Sequence, residues 1–553
     1  MRNNRHSKCA LAVLWPFCAA GAADPAMRVV VVDATVRVAL ENVNIEGTES
    51  AEVFCARREA ESFQIVVSNQ GAEPLRGITL ACSAMEGESK AAAPQPTLVA
   101  YREHYIRIDK MTPKTPGKPG LYPDALIPFV DPCTGRPPEG GQYRAAGFLV
   151  PPGVCQAYWV DVVVPPATPA GVYQGRVTVK ADGAERIVPV RLTVWDFELP
   201  RKQSLKTWFS VVPAAMAEAH GLRLGSPRWS EWVDRYLRMF DEHRIATWFP
   251  TAIRAKPDGH ADITPTYLEK LREYVERYEP ATFYVLVYAG WPFKDGLGAD
   301  VDKLSVYLGD IDAMLGQNPW IPPAYVILVD EPHTPEAYEA VRRVGRVLHG
   351  GRMRIRNLVP FGWPLPVPAD LDEWVDTWVM AWKTWDDAKV SRLREGGKEV
   401  WSYTALISGT RPIPFWHLEA PPIWYAVPFW TTWSLQLDGF LYWSVVAVGK
   451  EGDPWRNPAI WTDGQVVVNG EGCLIYPGRS AGIDGPVASL RLKMVRDGLE
   501  CYEYLKLLSG RGGRAEADAI ARSLTPTFFE WNSDWRSYAA ARERLAKAIV
   551  SRN

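Results

Sequence analysis

Tyr325-Val326-Ile327-Leu328-Val329-Asp330-Glu331-Pro332 is an apolar, β-branched run that ends in two adjacent carboxylates and a proline. Runs of this composition are strands buried on both faces, and charges at the exit, followed by a residue that stops the ladder, place two acids at the mouth of a core. Carboxylates there are candidate catalytic groups. A second reading competes with this one: Thr334-Pro335-Glu336 reads as an N-cap followed by proline at the first helical position, so the acids would only precede a helix.

The surroundings of this run decide which fold it belongs to. After Ser204 apolar strand candidates recur at Leu205 to Val211, Ala246 to Pro250, Thr282 to Ala289, Tyr325 to Asp330, Met353 to Val359, Thr377 to Trp382, Glu399 to Ala405 and Gly439 to Val445. Segments of helical period lie between most of them, such as Trp232, Val233, Tyr236, Leu237 and Phe240, or Tyr338, Val341, Val344 and Leu348. Strands alternating with helices over about 250 residues predict a closed (β/α)8 barrel of the TIM type, here over 204–455. An open doubly wound sheet is the alternative, but no Gly-rich phosphate loop follows a strand.

In a barrel, function gathers at the carboxyl ends of the strands. Those ends carry Trp208, Trp248, Tyr288 with Trp291, Asp330-Glu331, Trp382 with Trp385, Trp401 with Tyr403, and Tyr442 with Trp443. Each aromatic taken singly reads as core. Their recurrence around one carboxylate pair predicts a carbohydrate cleft, because flat rings stack on sugar faces while polar rims bond hydroxyls.

Residues 27–200 read as a β-sandwich, with β-branched or aromatic runs at 29–32, 62–67, 158–164 and 175–179 bounded by Pro, Gly and Asn. No acid or histidine cluster stands out there, which predicts a supporting role. Residues 456–553 read as a smaller strand-and-helix extension, whose Asp497, Glu500 and Glu503 suit ion pairs along a helix.

Composition excludes several classes. The chain has 553 residues and a formal net charge of -2, with acids and bases interspersed. A nucleic-acid partner is not expected, since phosphate neutralisation needs a clustered basic surplus. Arg2, Arg5 and Lys8 precede the apolar run from Ala10 to Phe17, and Ala20-Gly21-Ala22-Ala23 offers a small-residue cleavage site, so 1–23 reads as a signal peptide. The mature protein is then periplasmic or extracellular, without a membrane span; a lipid anchor at Cys18 is the second choice. Cys55 with Cys82, Cys133 with Cys155 and Cys473 with Cys501 are the sequence-local pairings, among fifteen possible connectivities. The histidines are scattered singly, no metal-ligand spacing occurs, and no metal or cofactor is expected.

A set of ordered blocks carries a resemblance. Asp438-Gly439-Phe440-Leu441-Tyr442-Trp443-Ser444, Asp453-Pro454-Trp455, Gly470-Glu471-Gly472-Cys473-Leu474-Ile475-Tyr476-Pro477-Gly478, Gly485 to Leu492 and Arg496 to Leu505 resemble the domain of unknown function 4091, which overlaps glycoside hydrolase family 123. Ala56 to Gln64 and Trp195 to Pro200 are similar to the same family's sandwich. The resemblance implies a sandwich, a (β/α) barrel and a C-terminal extension. It also implies β-N-acetylgalactosaminidase chemistry with an adjacent Asp-Glu pair as stabiliser and acid, at the positions of Asp330 and Glu331. One departure is that many relatives carry an arginine before the tryptophan of the last barrel helix, where this chain reads Trp424-Tyr425-Ala426-Val427-Pro428-Phe429-Trp430.

The residues bear on that chemistry directly. An ordinary retaining glycosidase needs an acid and a carboxylate nucleophile about 5–5.5 Å apart. The seventh strand end, a common place for such a nucleophile, reads Trp401-Ser402-Tyr403-Thr404-Ala405 and holds no acid. A substrate with a 2-acetamido group supplies its own nucleophile, its carbonyl oxygen closing an oxazoline on the anomeric carbon. Glu331 is then the general acid and base, and Asp330 the ionised stabiliser of the acetamido N–H. Both acids reach the cleft only if the backbone turns at the strand end, which Pro332 favours. Tyr403 is the candidate hydroxyl for the acetamido carbonyl, with Tyr442 in reserve, and Trp382, Trp401 and Trp443 are candidate walls. Tyr288 and Trp248 complete the candidate binding residues. The expected partner is a glycan with a terminal β-linked amino sugar. Two rivals stay open: a hydrolase of a non-acetamido glycoside, and a catalytically silent carbohydrate-binding protein.

Overall fold

The computed structural model describes residues 26–87, 93–245, 248–286, 291–363, 366–405, 413–447, 453–459, 461–463 and 466–553. The segment read as a signal peptide lies outside the described residues.

The first part of the chain forms two sheets. Met27–Asp33, Glu59–Asn69, Cys155–Val164, Thr97–Ile108 and Gly120–Pro128 pair antiparallel in that order. Ala51–Arg57, Ala184–Glu198, Gly171–Ala181, Leu75–Cys82 and Phe148–Val150 form the second sheet, with Glu86–Gly87 on Gly171–Ala181. Gly171–Ala181 shows why the sheets pair: Tyr173, Val177, Val179 and Ala181 alternate with exposed residues and are buried. They share one apolar cluster with Val31, Ile65, Val67, Val160 and Val162 of the other sheet.

A parallel sheet follows. Its strands are ordered Lys206–Phe209, Gly439–Tyr442, Glu399–Tyr403, Thr377–Ala381, Arg356–Phe361, Ala324–Val326 and Phe283–Tyr284. The sheet is curled, and its two edge strands approach each other. Thr282 Oγ1 donates to the Thr207 carbonyl at 3.1 Å, and the Trp208 and Tyr284 rings lie 3.7 Å apart. Side chains of alternate strand positions fill the concave side: Tyr284, Tyr325, Leu358, Val379, Ala381, Trp401, Tyr403 and Leu441. At the amino end of these strands Glu399 accepts from the Tyr325 hydroxyl at 2.9 Å and pairs with Arg356 at 2.7 Å and Lys206 at 2.5 Å.

Several expected strands are shorter. The fourth ends at Val326 instead of Asp330, because the backbone leaves the sheet before Glu331, whose φ is +43°. The third shrinks to Phe283–Tyr284, and 287–290 lie outside the described residues. No strand covers the described part of Ala246 to Pro250, where Trp248 and Phe249 are buried.

The helix Leu490–Leu508 ties the parts together. Arg491 meets Asp124 at 2.8 Å with both side chains fully buried, and Lys493 meets Asp161 at 2.7 Å. Asp497, Glu500 and Glu503 were expected to serve their own helix, and two of them do more. Arg496 pairs with Asp497 and Glu500, yet Glu500 also meets Arg244 at 3.5 Å, while Glu503 accepts from the backbone N–H and hydroxyl of Ser204, each at 2.7 Å. The cysteine pairings expected from spacing are not formed: Cys55, Cys82, Cys133, Cys155, Cys473 and Cys501 are free thiols. Cys55, Cys155 and Cys501 are buried in three different apolar clusters.

Candidate active site

Asp330 and Glu331 lie just beyond the carboxyl end of Ala324–Val326, the strand next to the edge strand Phe283–Tyr284. Glu331 adopts the left-handed region, which costs a non-glycine residue about 1–2 kcal/mol. The turn frees the two acids from the strand rule that sends neighbours to opposite faces. His333 Nδ1 lies 2.8 Å from the Glu331 carbonyl and closes that turn. Asp330 is exposed and Glu331 half-buried.

The Glu331 carboxyl is held by Tyr403. The phenol of Tyr403 donates to Glu331 Oε1, reaching it from the third strand along, Arg356–Phe361 and Thr377–Ala381 lying between. Burial pushes the Tyr403 phenol well above its ordinary value, and the charges of Glu331 and Asp330 raise it further. Tyr403 therefore stays a proton donor over the whole working range of pH. Gly362, the first residue after Arg356–Phe361, passes against the same carboxyl. A Cβ there would overlap Glu331 Oε1 and Cδ and stand 2.5 Å from the Tyr403 hydroxyl. Trp363 follows, 44% exposed, with the His333 ring 4.8 Å from its own and the Lys383 ammonium 4.9 Å from its centroid. Half-buried Trp208, Ile327 and Ala405 cap the concave cluster on this side. Within four residues after the other parallel strands the sequence holds no carboxylate. Among the described residues no group of three His, Cys, Asp or Glu side chains is placed to hold a metal ion.

Residues 293–508 match the family model described as glycoside hydrolase 123, catalytic domain. This region is a glycoside hydrolase family 123 catalytic domain. The chain is similar in structure to a family 123 glycoside hydrolase from Clostridium perfringens, studied for glycolipid glycan hydrolysis, with a TM-score of 0.66 and 13% identity over 95% of this chain and 97% of that one. At that identity the likeness speaks for the fold. Fainter likenesses, which carry no argument, are to Bacteroides uniformis β-glucuronidase 2 (TM-score 0.29, 11% identity, 86% of this chain and 50% of that) and to an FMN-binding β-glucuronidase from Facaelibacterium prausnitzii (0.30, 9%, 82% and 60%). No curated protein matches the chain.

The family 123 catalytic region holds Asp330, Glu331, Gly362, Trp363 and Tyr403. Of the other residues expected at the cleft of this glycoside hydrolase, Trp382, Trp401, Tyr442 and Trp248 lie away from the Glu331 carboxyl. Trp382 is buried, its ring 4.1 Å from Phe528, so it packs against the C-terminal extension. Trp401 is fully buried deep in the concave cluster, its indole N–H 3.3 Å from Glu399 Oε2, one layer below Tyr403. Tyr442 points to the convex side with Phe440, packs 4.6 Å from Trp416 and accepts from the Gly472 N–H at 2.9 Å. Trp443 donates to Glu471 Oε1 at 2.8 Å and is half-buried. Trp248 is buried on the convex side near Phe240. Tyr288 lies outside the described residues.

Gly362, Trp363 and Lys383 were not anticipated. The available signal was Phe361-Gly362-Trp363-Pro364, a glycine and an aromatic directly after a strand, where close backbone approach to a functional group calls for glycine.

Proposed function

We propose that this family 123 glycoside hydrolase is a retaining β-N-acetylgalactosaminidase that uses the substrate's 2-acetamido group as nucleophile. The single observation that carries the reading is the Asp330-Glu331 turn, whose Glu331 carboxyl is held by the Tyr403 phenol at the mouth of the curled sheet. Glu331 protonates the leaving oxygen and then deprotonates the attacking water. Asp330, ionised, accepts the acetamido N–H and stabilises the positive charge of the closing oxazoline. Tyr403 takes a role different from the one first expected: its hydroxyl orients Glu331 instead of the acetamido carbonyl. Trp208 and Trp363 offer rings at the mouth for the sugar face.

The same reading divides the chain into a sandwich over 27–200, a barrel closed across the 207–282 seam over 204–455, and an extension over 456–553. It exports the protein through the segment 1–23, to periplasm or exterior. The deciding experiment compares aryl β-glycosides that differ only at C2 and C4. Hydrolysis confined to 2-acetamido substrates with the galacto configuration, and inhibition by an N-acetyl thiazoline analogue, are expected. Turnover of 2-hydroxy glycosides without thiazoline inhibition would sink the substrate-assisted mechanism.

A further inference from the structure

Trp443 stands where Gly439–Tyr442 leaves the sheet. Leu441 lies in the concave cluster and pairs in register with Tyr403, Tyr442 faces the convex side, and alternation turns Trp443 back toward the mouth. The backbone stays beside the strand Lys206–Phe209 over this step: the Ser210 N–H donates to the Tyr442 carbonyl at 3.2 Å, and the Val445 N–H donates to the Ser210 carbonyl at 2.9 Å. The Ser210 hydroxyl accepts in turn from the indole N–H of Trp208, which caps the concave cluster. Half-buried Trp443 therefore stands one strand over from Tyr403, the residue that holds Glu331. It also packs against the cluster to which Val445 and Leu474 belong.

This indole is fastened along one edge. Its Nε1–H donates to Glu471 Oε1 at 2.8 Å, and Gly472 passes so close that a Cβ there would overlap Cζ2 of the ring. Glu471 is buried, and its other carboxylate oxygen lies 3.6 Å from Nε2 of the fully buried His417. The second ring nitrogen of His417 lies 3.2 Å from the Thr115 hydroxyl. Thr115 belongs to the sandwich, in the loop between Thr97–Ile108 and Gly120–Pro128. That loop is tied down again at Thr112, whose N–H donates to Glu419 Oε1 at 2.6 Å and whose hydroxyl accepts from the Asn469 N–H at 3.0 Å. Burying a carboxylate is unfavourable unless it is paired, and a half-buried indole can bond to water instead. A buried Glu471 on that N–H thus points to orientation of the ring more than to stability.

We propose that Glu471 is a positioning residue of the sugar site: it fixes the Trp443 ring as a platform for the apolar face of the sugar, and through His417 and Thr115 it couples that platform to the sandwich. The proposal rests on the reading of this mouth as a glycan site. The sandwich then takes part in substrate binding without touching the substrate.

The test is a double-mutant cycle on an aryl β-N-acetylgalactosaminide. Glu471→Met keeps the volume and removes the carboxylate, and Trp443→Phe keeps a ring and removes the N–H. Glu471→Met is expected to raise KM by about 5- to 10-fold with kcat within about twofold, since a platform binds ground and transition states alike. Glu471→Gln retains an acceptor for the indole and should recover most of that rise. In the Trp443→Phe background Glu471→Met should add less than about twofold, because it acts through the lost N–H. A carboxylate that only held the fold together would instead lower kcat through the active fraction and leave KM unchanged. That result, or full additivity of the two substitutions, overturns the proposal. Thr115→Val, in the sandwich, serves if Glu471→Met does not fold: KM should rise by about twofold or more, and the rise should vanish in the Trp443→Phe background. An unchanged KM overturns the coupling. If the wild type does not hydrolyse the aryl glycoside, the reading of the reaction fails instead. Calorimetric titration with free N-acetylgalactosamine then decides the platform: binding weakened by Glu471→Met upholds it, and binding that is absent or unaffected overturns it.

Discussion

The Tyr403 phenol donates to the Glu331 carboxyl across two intervening strands of the parallel sheet, so the orientation of the acid is set by a residue 72 positions away in sequence. Removing one partner of a buried hydrogen bond costs about 1–3 kcal/mol. Tyr403→Phe keeps the ring in the concave cluster and removes the donor. It is expected to lower kcat/KM on an aryl β-N-acetylgalactosaminide by about 10- to 100-fold, with little change in KM, measured by initial rates. An unchanged rate would leave the phenol a packing role only.

Gly362 faces the same carboxyl. Its φ lies outside the left-handed region, so alanine brings no backbone strain, but its methyl would occupy the place of Glu331 Oε1. Displacing a reacting group by about 1 Å costs on the order of 100-fold in rate. Gly362→Ala is therefore expected to lose about 100-fold in kcat while its thermal midpoint stays within a few degrees of wild type. A large fall in the midpoint with normal kcat would contradict this.

How much of this site was legible in the sequence depended on what fixes each residue. Asp330-Glu331 was legible because charge at the end of an apolar run is a local signal, and Tyr403 because the seventh strand end is where a barrel presents side chains. Trp401 and Tyr442 were misplaced for one reason. A strand buried on both faces shows no alternation of polar and apolar residues, so its convex and concave positions read alike. Structure sends Trp401 inward below Tyr403 and Tyr442 outward onto Trp416. Trp382 was misplaced because its partner, Phe528, comes from the extension, a contact no local pattern encodes. The second strand was expected from an apolar run that also suits buried loop, and Trp248 and Phe249 are buried without pairing.

The two acids are expected to fail differently. Glu331→Gln removes the proton donor and should lower the rate by about 100- to 10,000-fold on substrates with poor leaving groups, less on activated aryl glycosides that need little protonation. Asp330→Asn leaves that donor in place and removes the charge that stabilises the closing ring. Its loss should therefore be similar for good and poor leaving groups. A plot of log kcat against leaving-group pKa for both variants checks this, and a steep slope for Asp330→Asn would refute the division of roles.

Asp161 joins the first sheet to the helix Leu490–Leu508. Burial alone would raise its carboxyl, but the Lys493 ammonium at 2.7 Å and the Arg496 guanidinium at 3.4 Å, with the Ser62 hydroxyl, hold it well below the ordinary 3.8. Because its folded value is depressed, the stabilisation is complete above the unfolded value and is lost as pH falls from there through the folded one. Asp161→Asn leaves two buried cations without their carboxylate, a change that costs about 3–5 kcal/mol. Denaturant unfolding at pH 7 should show that difference, and the gap between wild type and variant should close as pH is lowered from about 5 toward 2. A gap constant across that range would mean that the Asp161 carboxylate is not held ionised by Lys493 and Arg496.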